Sequence, residues 1–184
     1  DGDAEVVVLA KGQDDGLKSL TVMSPTRKVT AAFIGNPRGI GIREFILESA
    51  EPADIPAVLN SFPEGTYRFR GTSVKGDCLK GTATLSHVLA PATVIVAPGE
   101  DEILDLQNFV VRWEAVGGAA SYVIGVDNED RGTTLLAEIA PSATSFTVPS
   151  EWLEPGTGYT VSVAVKAGDG NVSSVEVAVS TVAE

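Results

Sequence analysis

The chain is predicted to be all-β and built as two consecutive β-sandwiches. Three observations predict this. Apolar runs of 4 to 8 residues, separated by Gly, Pro, Asn and Asp, recur along the whole chain. A helical start signal and spacing occur in one short segment alone, Asp54 to Phe62. Finally, the two halves differ sharply in charge, and a length of 184 residues with 43% apolar side chains suffices for two domains. Each half can bury roughly 60% of its unfolded surface. The expected domains are residues 1–90 and 91–184, joined by the short segment Ala90-Pro91-Ala92.

In the first half, strands are expected over Glu5 to Ala10, Leu17 to Met23, Val29 to Ile34, Ile42 to Glu48, Thr66 to Val74 and Leu79 to Leu89. Lys75-Gly76-Asp77 supplies the turn of a hairpin between the last two. Six strands are enough for a sandwich.

In the second half, Thr93 to Ala97 opens the pattern and Pro98-Gly99 interrupts it. Phe109, Val111 and Trp113 alternate with Val110, Arg112 and Glu114, then Tyr122, Ile124 and Val126 alternate with Val123 and Gly125. Further strands are expected at Leu135 to Ile139, Ser145 to Val148, Tyr159 to Lys166 and Val175 to Val182, with Gly168-Asp169-Gly170-Asn171 turning into the last. In the run after Pro155-Gly156, Tyr159, Val161, Val163 and Val165 alternate with Thr160, Ser162 and Ala164, the period of a strand with one buried face. A Tyr heading such a strand carries its hydroxyl into an apolar place, and the upstream backbone is the nearest partner. This is the logic of a tyrosine corner.

These residues carry a resemblance. With Trp113 inside its second strand, Tyr122 early in its third, the strand Ser145-Phe146-Thr147-Val148, and L-x-P-G-T-x-Y from Leu153 through Pro155 to Tyr159, the segment 92–182 resembles a fibronectin type III domain. The resemblance implies an immunoglobulin-like sandwich in which Leu153, Pro155, Tyr159 and Trp113 are structural. The segment Pro149-Ser150-Glu151-Trp152 is longer than the usual approach to such a corner and is expected to bring Trp152 to the surface. In the first half, Phe62-Pro63-Glu64-Gly65-Thr66-Tyr67-Arg68-Phe69 and Gly81-Thr82-Ala83-Thr84-Leu85-Ser86-His87 are similar to a β-sandwich segment that precedes fibronectin-type domains in some exported bacterial proteins of no established activity.

Composition excludes several chemistries. A single cysteine, Cys78, forms no intramolecular disulfide, and a single histidine, His87, leaves His/Cys metal clusters and Ser-His-Asp triads without their parts. Cys78 is expected to be buried and inert, the alternative being an exposed thiol that pairs between molecules. No apolar run of 18 residues exists, so no helical membrane span is expected, and Asp1-Gly2-Asp3 has neither the basic segment nor the apolar core of a signal peptide. Export followed by signal removal is the expectation, with an extracellular or cell-surface location.

Residues 1–90 carry 10 Lys and Arg against 11 Asp and Glu, whereas residues 91–184 carry Arg112, Arg131 and Lys166 against 14 acids. The acidity belongs to the second half. It repels phosphates and anionic membranes and argues against nucleic acid as a partner, while favouring a cation or a basic protein face.

Several constellations admit both a functional and a plainer reading. Asp127-Asn128-Glu129-Asp130-Arg131-Gly132 with Glu138 imitates a calcium loop, but Arg131 stands where an oxygen ligand is needed; the plain reading is a polar loop. Glu100, Asp101, Glu102 and Asp105 read either as solvated charge or as ligands for a hard cation. Trp152 is either a sandwich cap or a sugar-stacking platform, and Asn171-Val172-Ser173 fits an N-glycosylation acceptor. Arg68 and Arg70 alternate with Tyr67 and Phe69, so both project from one face, near Lys75 and Lys80. They form either a soluble outer face or a basic ribbon that docks on the acidic second domain of a neighbouring copy. Val6-Val7-Val8-Leu9 is apolar on both faces and is either a strand covered by its own domain or one inserted into a neighbour's sheet.

The expectation is therefore a non-enzymatic extracellular protein without cofactors, interacting with proteins and foremost with copies of itself, through Val6, Val7, Val8, Leu9, Arg68 and Arg70. The alternative is a carbohydrate- or Ca²⁺-binding accessory module of a larger secreted system.

Overall fold

The computed structural model describes residues 4–12, 14–35, 41–49, 55–128 and 130–183. The chain divides into two compact units, Asp1–His87 and Val88–Glu184. Val88 and Ala90 are tied to the second: the Asn171 side-chain amide donates to the Val88 carbonyl (2.9 Å) and the Ser173 hydroxyl to the Ala90 carbonyl (2.6 Å).

The first unit holds β1 (Val7–Lys11), β2 (Leu17–Met23), β3 (Val29–Ile34), β4 (Glu44–Glu48), the helix α1 (Ile55–Ser61), β5 (Gly65–Ser73) and β6 (Cys78–Leu85). Asp54, expected to begin the helix, lies outside the described residues. β1 pairs with β4 as a two-stranded antiparallel sheet, and β3-β2-β5-β6 form a four-stranded one. Alternation decides what each strand buries: Val8, Ala10 and Phe45 from the small sheet pack against Leu20, Val22 and Tyr67 from the large one. The β5–β6 hairpin closes through the turn expected at Lys75-Gly76-Asp77, where the Ser73 amide donates to the Asp77 carbonyl and Gly76 takes the left-handed conformation (φ 97°) that favours glycine.

Two strands cannot cover four. Leu79, Gly81 and Ala83 of β6 are cross-strand neighbours of Gly71, Phe69 and Tyr67 on the core side, yet β6 is exposed along nearly its whole length. Cys78, expected to be buried, alternates with these residues, lies opposite Thr72 on the outer face, and is exposed at the start of this edge strand. The expected strand Leu79 to Leu89 also ends early, at Leu85.

The second unit holds β7 (Ile95–Ala97), β8 (Glu102–Leu104), β9 (Val110–Trp113), β10 (Ser121–Asn128), β11 (Thr133–Ile139), β12 (Ser145–Thr147), β13 (Gly158–Lys166) and β14 (Val172–Thr181). One sheet runs β12-β9-β7; the other runs β11-β10-β13-β14-β8, antiparallel except for the parallel β14–β8 pair. Between them lies a core of Phe109, Val111, Trp113, Tyr122, Ile124, Val126, Val148, Leu153, Tyr159, Val161, Val163, Val165 and Val179. Both faces of this sandwich are assembled from the period-two runs of the sequence. β8 was not foreseen, because three residues of an acidic loop show no alternation and become a strand only by lying beside the end of β14.

Candidate functional site

A cluster of polar contacts in the second unit surrounds the approach to β13. Gly156 adopts φ 60°, the left-handed conformation required for the chain to double back before Tyr159. The Tyr159 ring is buried, edge-on to Phe109 (centroids 6.3 Å apart) and 5.5 Å from Trp152. Its hydroxyl accepts a 2.8 Å hydrogen bond from the Glu154 amide. Three more bonds close the turn onto β14: the Gly156 amide donates to the Val182 carbonyl (2.9 Å), the Thr157 amide to the Thr181 hydroxyl oxygen (3.0 Å), and that hydroxyl to the Glu154 carbonyl. The Glu154 carboxylate pairs with Arg131 from the β10–β11 turn.

Of the four residues marked as structural, Leu153, Tyr159 and Trp113 are in the core and Pro155 is exposed on the turn. Trp113 packs against Tyr122 (5.3 Å), whose hydroxyl accepts from the Val116 amide at 2.7 Å. Trp152 is half-buried against the Tyr159 ring rather than standing free, so one of its faces is already occupied.

Sequence reasoning missed an equivalent in the first unit. Tyr67 heads the buried face of β5, is itself buried, and donates from its hydroxyl to the Pro63 carbonyl at 3.2 Å. Burial raises its pKa above the ordinary phenol value of 10.0. The signal was present: Pro63-Glu64-Gly65-Thr66 precedes Tyr67 much as Pro155-Gly156-Thr157-Gly158 precedes Tyr159. The approach to Tyr67 is pinned by His87, whose amide donates to Glu64 Oε1 (2.7 Å) and whose Nε2–H donates to the Phe62 carbonyl (2.8 Å).

The remaining sequence candidates separate. Asp127 accepts from the Thr134 hydroxyl, while Glu138 is held by Ser121 (2.6 Å) and Lys166 (3.2 Å) at the far end of the same hairpin. Glu129 lies outside the described residues, and Arg131 is committed to Glu154, so the structure does not bring the calcium-loop residues together. The Ser121 hydroxyl and then Lys166 lower the Glu138 pKa. In the acidic loop, Glu102 accepts from the Gly99 amide (2.7 Å), Glu100 from the Ala178 amide (3.3 Å) and Asp105 from the Gln107 amide (2.7 Å); each carboxylate caps backbone instead of converging with the others.

On the first unit, Arg68 and Arg70 project together from the outer face of β5. Register places Met23 opposite Arg68, and Thr21 and Lys80 on either side of Arg70. Arg27, in the left-handed conformation of the β2–β3 turn (φ 63°), joins Met23, Arg68 and Arg70 around a shallow depression. Lys75 leaves this group to pair with Asp15 (2.7 Å), whose hydrogen bond and charge raise its pKa. Among the described residues, Arg27, Arg68, Arg70 and Lys80 make no ion pair.

β1 is paired with β4 inside its own unit, Val7↔Glu48 through Lys11↔Glu44, with every second residue exposed. Val8 and Ala10 face the core, whereas Val7 and Leu9, with Ile46 opposite Leu9, lie on the outer face. Val6 precedes the strand and is tied to Ser49 (3.0 Å).

No family model matches the chain. A stretch of 55 residues, 30% of the chain, is 46% identical to a dextranase of Streptococcus salivarius, of which it covers 6%. Among solved structures, a two-domain fibronectin type III segment of chicken tenascin is 15% identical, with 97% of this chain and 94% of that one covered at a TM-score of 0.38. The FN1–FN3 domains of chicken CNTN1 are 12% identical, with 100% and 64% covered at a TM-score of 0.39. By its own strand order the second unit is a β-sandwich of a three-stranded and a five-stranded sheet, closed at the Tyr159 corner.

Proposed function

We propose that this chain is a non-catalytic interaction module of an extracellular or cell-surface protein and that it associates with copies of itself through the outer side of β1 and β4. One observation carries this reading: Val7, Leu9 and Ile46, exposed by 48, 49 and 54%, lie together on one face of a two-stranded sheet. Among the described residues, β1 is paired along one edge only, so its other edge can accept a strand. Edge-to-edge addition would extend the sheet and leave the β1–β4 ladder intact, and face-to-face packing of two such outer faces would cover the three apolar side chains. Fully burying one such side chain is worth about 1.5–3 kcal/mol, and these, already half covered, would gain part of that.

The test is light scattering over a range of protein concentrations, comparing the native chain with Val7→Lys combined with Leu9→Lys. The expected result is a native mass above the monomer that rises with concentration and a variant that stays monomeric with unchanged circular dichroism. A native chain that is monomeric throughout removes the self-association reading.

The dextranase likeness favours a second reading, a carbohydrate-binding accessory module of a secreted glucan-processing protein. Affinity electrophoresis in dextran gels separates the two. Retardation that disappears in Trp152→Ala supports this alternative, and unretarded migration removes it for dextran.

A further inference from the structure

We infer that the cationic outer face of the first unit, around Arg27, Arg68, Arg70 and Lys80, docks on the acidic loop Glu100–Asp105 in the second unit of another copy. This rests on the reading of the chain as self-associating and names a second surface for it.

The charge arrangement is the reason. Arg70 and Lys80 are direct cross-strand neighbours, and Arg68 stands two residues from Arg70 on the same face. Like charges so placed repel one another and weaken the strand pairing, and no carboxylate among the described residues relieves them. The depression lined by Met23, Arg27, Arg68 and Arg70 gives the guanidinium groups an apolar floor, and their planar forks suit carboxylates.

The complement lies in the same chain. Glu100, Asp101, Glu102 and Asp105 are exposed, and among the described residues no cation pairs with them. Three of the four are held in place by backbone amides, so their charge is presented by fixed groups rather than by free rotamers. Residues 91–184, with three basic side chains against 14 acids, extend the negative field around this loop. Because the two surfaces differ and each copy carries both, the contact is heterologous, and repetition of it leads to an open chain of copies. Charge of this kind sets register and association rate and is screened by salt.

The test compares three full-length proteins by sedimentation velocity. The first is the native chain, the second Arg68→Gln with Arg70→Gln, and the third Glu100→Gln, Asp101→Asn, Glu102→Gln and Asp105→Asn together. The amide side chains keep an acceptor oxygen for the Gly99, Ala178 and Gln107 amides, and Asn tolerates the left-handed backbone of Asp101 (φ 57°). Each variant alone is expected to raise the dissociation constant about tenfold or more, as loss of a few charged contacts does. An equimolar mixture of the two is expected to associate more tightly than either alone, since each supplies the half the other lacks. Salt added to the native chain is expected to weaken association, with little effect on the variants.

Unchanged association of the Arg68→Gln, Arg70→Gln protein overturns the inference. If Val7→Lys with Leu9→Lys abolishes assembly in that same series, the apolar reading stands without this one. A native chain that is monomeric throughout removes both. An Arg-dependent retention on a sulfated-polysaccharide matrix, with assembly insensitive to the acidic-loop changes, assigns the face to an anionic glycan and likewise overturns the inference.

Discussion

The Tyr159 hydroxyl accepts a 2.8 Å hydrogen bond from the Glu154 amide, five residues back along the chain, while the Glu154 carboxylate reaches Arg131 in a different turn. One short loop is thereby joined to the core through its backbone and to the β10–β11 hairpin through its side chain. Removing the hydroxyl leaves the ring and its packing in place. Tyr159→Phe is expected to cost about 1 kcal/mol, the net worth of one hydrogen bond, with association unchanged. Both tryptophans, Trp113 and Trp152, belong to the second unit, so urea unfolding followed by tryptophan fluorescence reads that unit alone. A fall in association without a fall in the midpoint would make Tyr159 a binding residue instead.

Tyr67 performs the same tie with the opposite polarity, donating to the Pro63 carbonyl. Tyr67→Phe is expected to destabilise the first unit by about 1 kcal/mol while leaving the tryptophan-detected transition of the second untouched. Burial also raises the Tyr67 pKa above 10.0. The folded state thus favours the neutral phenol more than the unfolded state does. This contribution is complete below the unfolded pKa of 10.0 and is lost as pH rises through the higher folded value. Phenolate absorbance of the native chain minus that of Tyr67→Phe should show the lost phenol ionising above 10.0.

Glu138 moves the other way. The Ser121 hydroxyl and Lys166 lower its pKa from 4.5, so its contribution is present above that value and lost as pH falls through the lower folded one. Glu138→Gln is expected to flatten the acid limb of second-unit stability slightly, because the group is exposed and screened. Ser121→Ala should reproduce part of that flattening in the same pH series, and an unchanged acid limb in both variants would remove the assignment.

Cys78 is exposed at the start of β6. Ellman's reagent is expected to titrate one thiol per chain in the native state at the rate of an exposed cysteine, with no acceleration on adding denaturant. Slow native reaction followed by release in urea would place the thiol in the interior.

The division between sequence and fold follows from the range over which each signal acts. Period-two alternation is local, so the strands Leu17–Met23, Val29–Ile34 and Gly158–Lys166 were legible almost to the residue. The corner was legible as well, because its turn and its tyrosine lie within seven residues of one another. Alternation cannot say what stands opposite a strand. That β1 would pair with β4 and leave Val7 and Leu9 outside, that Cys78 would fall on the outer face of an edge strand, and that Glu102–Leu104 would become a strand beside β14 all depend on partners distant in sequence. The same limit applied to charge. The sequence by itself determined that the cations of the first half and the carboxylates of the second were unevenly shared. Only the tertiary structure decided that Lys75 would be neutralised by Asp15 while Arg70 and Lys80 stand side by side without a carboxylate among the described residues, because ion pairing depends on which turns and sheet faces folding brings within a few ångströms.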